Sequence, residues 1–369
     1  MADTPWTGDA CSLVDAFRKG ERSPLEELEA TLATIEASDL NAFSFVDADR
    51  ARDVARHVDV NLPFGGVPVG IKELEPVAGW PYTEASLVFR DRVASTTSTV
   101  VARLLDRGGA VPVGLTTASE FGGLNVGVTK LNGVTHNPWR LGRSPGGSSA
   151  GSASAVAGGL VTLATGGDGG GSIRIPAGYT GLLGMKGTFG RLPRSPHAFS
   201  RPGTVVLGCL ARSVRDAARY YDVCAGYDAA DPTSLPSTGG WEAALGTHDL
   251  AGRRVAVLPA LGGVIDVAPQ VEARVREAAK RLVDETGMVE VDLDLDIPNL
   301  AAQWMMGNLS TLLADLGDRW PGCAGELTEE VATGLFMSQS LYNLNTAAVA
   351  EGLRVQAYEE LARAFERVD

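Results

Sequence analysis

The feature that most constrains this chain is a stretch of small residues at 144–178, SPGGSSAGSASAVAGGLVTLATGGDGGGSIRIPAG. Glycine permits positive φ and lets a ligand come close to the backbone, yet it loses more conformational freedom on folding than any other residue. So dense a cluster needs compensation from packing or from a site. A flexible Gly/Ser linker has similar composition, but a linker does not carry AVAGGLVTLA at its centre or run into the apolar SIRIPAGYTGLLGMKGTFG. The pattern reads as two glycine runs forming two walls of one pocket. Each run ends in a serine, Ser148 in PGGSS and Ser172 in GGGSIR, and a short buried Ala-rich helix is expected between them.

Familiar catalytic templates fail on these residues. The nucleophile elbow G-x-S-x-G needs glycine two places after its serine, where Arg174 follows Ser172 and Ala150 follows Ser148. The phosphate-cradling pattern is broken in GMKGT, because Met185 separates Gly184 from Lys186, and GGDGGG has the wrong spacing for a dinucleotide loop.

A chain of 369 residues with 44% hydrophobic side chains can bury a sizeable core in one large or two medium domains. Its net charge of −13 argues against a nucleic-acid face or an anionic membrane surface as partner. The opening MADTPWTGDA lacks the basic start and apolar core of an export signal, so a cytoplasmic location is expected. No apolar run is long enough for a membrane span. Cys11, Cys209, Cys224 and Cys323 are widely separated, without a C-x-x-C pair, and imply neither zinc nor a disulfide framework. No metal or cofactor is expected.

Helices alternate with strands along the chain, the rhythm of an α/β fold. Ser23 and Pro24 open an amphipathic helix of about four turns, and a second helix is expected over Ala48 to His57. Lys72 emerges from the apolar strand in PFGGVPVGIKELEP, an unusual place because lysine is seldom fully buried. A helix over residues 96–108 precedes the strand AVPVGLTT, and VVLGCLA leads to a helix from about Ser213. RRVAVLP at 253–259 and VEVDLDLD at 289–296 read as strands around a helix over Ala268 to Glu285, the acids of the second forming a solvated face. The chain from Leu300 onward reads as mostly helical, and the whole as one continuous unit over 1–369.

At GGVPVGIKE, GAVPVGLTTASEFG, HNPW, PGGSSAGSASAVAGGL and GGDGGGSIRIPAGYTGLLGMKGTFGR the chain resembles the amidase signature family of serine hydrolases. The motifs occur in the family's order, from the first helix to near the end, with the densest part at 65–215. The resemblance implies a central mixed β-sheet flanked by helices on both faces and a Ser, cis-Ser, Lys triad. Its nucleophile matches Ser172, its bridging serine Ser148 after a cis bond from Gly147, and its lysine Lys72. It implies an oxyanion hole made by backbone N–H groups of Gly169, Gly170, Gly171 and Ser172, with Asp168 and Arg174 pairing to hold the turn. A small-molecule amide is the implied substrate, and a homodimer the implied assembly.

That triad is chemically coherent. Serine is a weak nucleophile until a base takes its proton, and an exposed lysine is charged near neutrality. Burial can make the amine a base, and a hydroxyl can relay the proton because it both donates and accepts. Of the histidines, His57, His136, His197 and His248, only His136 in HNPW is a candidate to touch substrate. Glu73, Ala150, Gly169, Gly187 and Leu115 depart from the residues usual in the family without removing a catalytic group. The sequence closes at Asp369 where the family continues for roughly a hundred residues that complete the sheet and part of the substrate funnel, so exposed sheet edges and apolar surface are expected. Two alternatives stay open: a catalytically silent or truncated relative serving as a binding protein, and the amidase subunit of a tRNA-dependent amidotransferase. The latter commonly has Gln after its SIR motif, where this chain has Ile175.

Overall fold

The computed structural model describes residues 4–196 and 203–369, so His197 lies outside the described residues. Local capping sets the first elements. Helix α1 (Ala10–Lys19) starts where the Asp9 carboxylate accepts from Ser12 N–H and stops at Gly20 in the left-handed region. Helix α2 (Pro24–Glu36) opens with a capping box between Ser23 and Glu26. Strand β1 (Phe43–Val46) and helix α3 (Ala48–His57) follow, then β2 (Pro68–Lys72). Helix α4 (Thr99–Asp106) begins later than the apolar pattern indicates, because the Ser98 hydroxyl accepts from Val101 N–H and fixes its start. Strand β3 (Val111–Thr116) precedes the short hairpin of β4 (Val128–Thr129) and β5 (Gly133–Val134).

The small-residue stretch supplies helix α5 (Ala150–Ala157) and strand β6 (Leu163–Asp168), followed by helix α6 (Arg174–Thr180) and β7 (Leu183–Gly184). Strand β8 (Val206–Ala211) and helix α7 (Val214–Cys224) complete the central part. Six strands form one mixed sheet in the order β1-β3-β2-β6-β8-β7. Its middle strands β3, β2 and β6 are parallel, whereas β1, β8 and β7 join antiparallel. Alternating side chains divide the core between the two faces. On one face Val69, Ile71, Leu163 and Cys209 pack with Leu13, Leu104 and Tyr220 of α1, α4 and α7. On the other, Ala164 and Leu210 pack with Ala153 and Val156 of α5. The resulting fold is the expected mixed sheet flanked by helices.

Two compact units divide the chain: residues 1–245 with 311–333, and 246–310 with 334–369. The first contains the whole six-stranded sheet. In the second, β9 (Arg254–Val255) and β10 (Val289–Glu290) form a two-residue parallel pair on either side of helix α8 (Pro269–Thr286). The longer strands expected at 253–259 and 289–296 do not form. Among the described residues no third strand joins this pair, so the alternating side chains have no wider sheet face to bury against, and isolated pairs of this kind are marginal. The last helices are α9 (Ala301–Leu316), α10 (Glu329–Leu341) and α11 (Leu344–Phe365). Leu344, Tyr358 and Phe365 of α11 are exposed. Among the described residues no helix is long and apolar enough to cross a membrane, and all four cysteines are buried and unpaired.

Close approach explains one glycine of the stretch. A Cβ at Gly151 would lie 2.3 Å from both Ala42 O and Thr117 N, and Gly151 N–H already donates to Thr117 O at 2.8 Å. Helix α5 therefore lies directly on the backbone beside β1 and β3. Gly151→Ala is expected to lower stability by about 2 kcal/mol through overpacking, against the gain that Ala brings to an ordinary helix position. Urea unfolding measures it, and a neutral or stabilising effect contradicts this packing.

Candidate active site

Strands β2 and β6 are parallel neighbours, so their C-terminal ends lie side by side and deliver Lys72 and Asp168 to the same edge of the sheet. Open α/β sheets place their ligands at such ends. Lys72 is only 2% exposed. Its Nζ is hydrogen-bonded to Ser148 Oγ at 2.8 Å and Ser149 Oγ at 2.9 Å, with Gly167 O at 3.4 Å. Its own backbone N–H donates to Thr165 Oγ1 at 2.9 Å, which locks the end of β2 to β6. The two serines sit immediately before α5, and the Gly147–Ser148 bond is cis. Thus the residues that lead into α5 meet the lysine amine through their hydroxyls.

Ser172 follows the second glycine run and is 7% exposed. Its loop meets the serine pair through the backbone, where Ser149 N–H donates to Ser172 O at 3.2 Å. The structure thus brings Lys72 and Ser148 into direct contact and places the Ser172 backbone against Ser149. Ser149 is a second hydroxyl on the amine that the motif reading does not single out, although it is the next letter of PGGSS.

The turn between Asp168 and Arg174 is organised by the Asp168 carboxylate. Arg174 donates to it from Nε at 2.9 Å and Nη2 at 3.0 Å, as expected of the pair. Gly171 N–H donates to Asp168 Oδ1 at 2.8 Å, and Ile173 and Arg174 N–H approach Oδ2 at 3.3 Å. Here the structure departs from the expected oxyanion hole, since Gly171 N–H is already taken by Asp168. Gly171 serves the turn through its φ of 123°, which a side chain would strain. Among the described residues, the N–H groups of Gly169, Gly170 and Ser172 meet no acceptor.

A residue missed by the motif reading completes this clamp. Lys186 Nζ donates to Asp168 O at 2.7 Å, Gly169 O at 2.9 Å and Thr204 O at 2.7 Å, and lies 3.3 Å from Asp168 Oδ1. The GMKGT segment carries it, but nothing in that segment's pattern points to Asp168, because the contact depends on how β7 is placed in the sheet. Burial alone would raise the Asp168 carboxyl, but the Arg174 hydrogen bonds and the Lys186 and Arg174 charges outweigh it and hold the group well below the usual carboxylate range. Two further carboxyls flank the lysine. Burial pushes Glu73 and Glu75 up to about 7, opposed for Glu73 by hydrogen bonds from Ala118 N–H and Asn132 and for Glu75 by Thr165 and the Lys72 charge.

HNPW works as a clasp and does not contribute an imidazole to these contacts. His136 O accepts from Ser154 Oγ of α5 at 2.7 Å, while Asn137 Nδ2 and Trp139 Nε1 donate to Tyr179 O and Thr180 O at 3.1 and 2.7 Å. The loop therefore fastens α5 and α6, the helices that follow the two serines. His136 Nδ1 accepts from Gly142 N–H at 3.3 Å within the loop itself.

The Amidase family model matches residues 26–317. A glutamyl-tRNA(Gln) amidotransferase subunit of Synechococcus sp. (strain RCC307) is 32% identical over 390 residues, covering 96% of this chain and 79% of that protein. Among solved structures, a bacterial aryl acylamidase of the amidase signature family agrees with a TM-score of 0.90 at 28% identity, covering 98% of this chain and 78% of that one. A 6-aminohexanoate cyclic dimer hydrolase complexed with substrate gives 0.86 at 26% identity, covering 98% and 77%. With most of the sequence inside the family match and nearly all of the fold shared, the chain belongs to the amidase family, the amidase signature hydrolases.

Proposed function

We propose that the chain hydrolyses a small carboxamide through an acyl-enzyme on Ser172, with Lys72 as general base and Ser148 as proton relay. The 2.8 Å contact between the buried Lys72 amine and Ser148 Oγ is the observation that carries this reading. Burial disfavours a charge on this amine, the condition a lysine base requires.

As the Ser172 hydroxyl attacks the carbonyl carbon, its proton passes to Ser148 Oγ and the Ser148 proton passes to Lys72 Nζ. The carbonyl π electrons move to oxygen, and that oxyanion is met by the free N–H groups of Gly169, Gly170 and Ser172. Collapse breaks the C–N bond, and the Lys72 ammonium returns the proton through Ser148 to the leaving amine. Water then enters by the same relay and releases the acid. Asp168, Arg174 and Lys186 hold the glycine run and do not touch the reacting atoms.

A second reading, the glutamine-hydrolysing component of an amidotransferase, is favoured by the 32% identity to the Synechococcus protein. Ile175 after SIR disfavours it. Release of ammonia from glutamine, compared with cleavage of a simple anilide, separates the two.

Ser172→Ala is expected to abolish covalent labelling by a fluorophosphonate and to lower kcat about ten-thousand-fold or more. Ser148→Ala is expected to lose roughly a hundred- to ten-thousand-fold in kcat, the range of a proton-transfer contribution. Persistent labelling of the Ser172→Ala protein refutes the assignment. Asp168→Asn leaves Arg174 and Lys186 facing an amide, which is expected to reduce stability by about 2 kcal/mol, the half-exposed Arg174 tempering the cost of a broken buried pair. Its kcat should fall while KM changes little, and unaltered kcat would contradict a role for this clamp in shaping the oxyanion site.

A further inference from the structure

Glu120 is a fully buried acid that the reaction above does not use. It stands in the loop between β3 and β4, with both carboxyl oxygens engaged. Oε1 accepts from Ser86 Oγ at 2.7 Å, and Oε2 accepts from Thr328 N–H and Thr328 Oγ1, each at 2.8 Å. One side chain thus joins three segments that are distant in sequence. An Arg90–Glu326 ion pair and a 2.9 Å hydrogen bond from Lys130 Nζ to Gly325 O run between the same segments, but both are exposed, where water competes with them. The Glu120 contacts are shielded, so loss of this acceptor leaves buried donors unpaired.

The backbone around this carboxyl is strained. Five non-glycine residues among the described ones have positive φ, and three of them, Glu84, Ala85 and Phe121, meet here at 50°, 59° and 53°. Phe121 N–H donates to Glu84 O at 2.9 Å and closes the two strained turns on each other. Such conformations persist only where surrounding contacts over-determine them, and they gather at functional sites. The relay serine is one contact away. Ser119 N–H donates to Ser148 O at 3.2 Å, and Ser119 Oγ shares its proton between Leu124 O at 2.6 Å and Val126 O at 2.7 Å. The segment also packs tightly on the peptide before that serine, since a Cβ on Gly147 would lie 2.7 Å from Val126 N and 2.8 Å from Ser119 Oγ.

We propose that Glu120 is a positioning residue for the proton relay: its carboxyl pins the strained 119–121 segment, so that Ser119 N–H holds the Ser148 carbonyl and keeps the Ser148 hydroxyl on the Lys72 amine. This rests on the reading of Ser148 as the relay. The effect passes from Glu120 through Ser119 to Ser148, and its last link is the 2.8 Å hydrogen bond between Lys72 Nζ and Ser148 Oγ. What the chain asks of residue 120 is acceptor geometry. Glutamine can supply it, because its amide oxygen can face both Thr328 donors while its NH2 donates to Ser86 Oγ, a hydroxyl that accepts as well as donates.

The test is fluorophosphonate labelling, resolved into its saturating rate constant and its half-saturating concentration. Glu120→Ala should lower the saturating rate about tenfold and move the half-saturating concentration by less than about twofold. Glu120→Gln should keep at least about half of the unaltered rate, and a Gln variant as slow as the Ala variant overturns the proposal. In a Ser148→Ala background the Glu120→Ala change should cost less than about twofold, because the hydroxyl it positions is already gone. A second full tenfold loss, roughly what damage elsewhere in the fold would add, overturns the proposal. Where Glu120→Ala does not fold, Ser86→Ala combined with Thr328→Val removes two of the three donors at nearly constant shape. That pair should slow labelling about threefold while Ser148 is present, and an unchanged rate overturns the proposal. If the unaltered protein is not labelled at all, the hydrolase reading falls, and amide hydrogen exchange decides the pin by itself. Ser119 N–H should then exchange at least about tenfold faster in Glu120→Ala, or in the paired variant, while the amides of β3 keep their rates. Equal protection of Ser119 overturns the proposal.

Discussion

The arrangement depends on a lysine amine held out of water at the end of a central strand by two hydroxyls. A buried amine is unfavourable as an ion unless it is well solvated by the protein, and here the contacts from Ser148, Ser149 and Gly167 are mostly neutral dipoles. The surrounding structure can be understood as the support for this contact. Parallel pairing of β2 with β6 fixes the height of Lys72, the bond to Thr165 fixes its backbone, and the approach of α5 through Gly151 brings the serines within reach.

The glycine runs answer a different need. Between Asp168 and Arg174 the chain turns sharply, with Gly171 at a φ of 123°, and the proposed reaction asks the same turn to keep several N–H groups free. One buried carboxylate does the shaping. Asp168 gathers Gly171 N–H, Arg174 and Lys186, so the turn is held from inside and the amides of Gly169, Gly170 and Ser172 remain available. Held donors of this kind need no rearrangement as charge develops, which is the main advantage a folded protein has over water.

Much of this was legible in the sequence because small residues leave few alternatives. The two serines after glycine runs and the lysine at the end of an apolar strand identified residues that the fold brings to one edge, and the Asp168–Arg174 pair followed from their flanking positions. What could not be read depends on side-chain direction and long-range register. Ser149 reaches the amine only because of the way its chain turns into α5, and Lys186 finds Asp168 across the antiparallel edge of the sheet. That Gly171 N–H turns inward is a property of one φ angle. In the second unit, VEVDLDLD has the alternation of a strand but lacks a neighbouring sheet to pair with, so only Val289–Glu290 forms ladder.

The central claim is that Lys72 can exist as a free amine inside the folded protein. The most direct measurement is 15N NMR of the Lys72 side chain, assigned by its loss in Lys72→Met and followed as pH is raised. The account predicts an uncharged amine signal at mildly alkaline pH, well before solvent-exposed lysines lose their protons. An ammonium signal that persists until those exposed lysines titrate would contradict it.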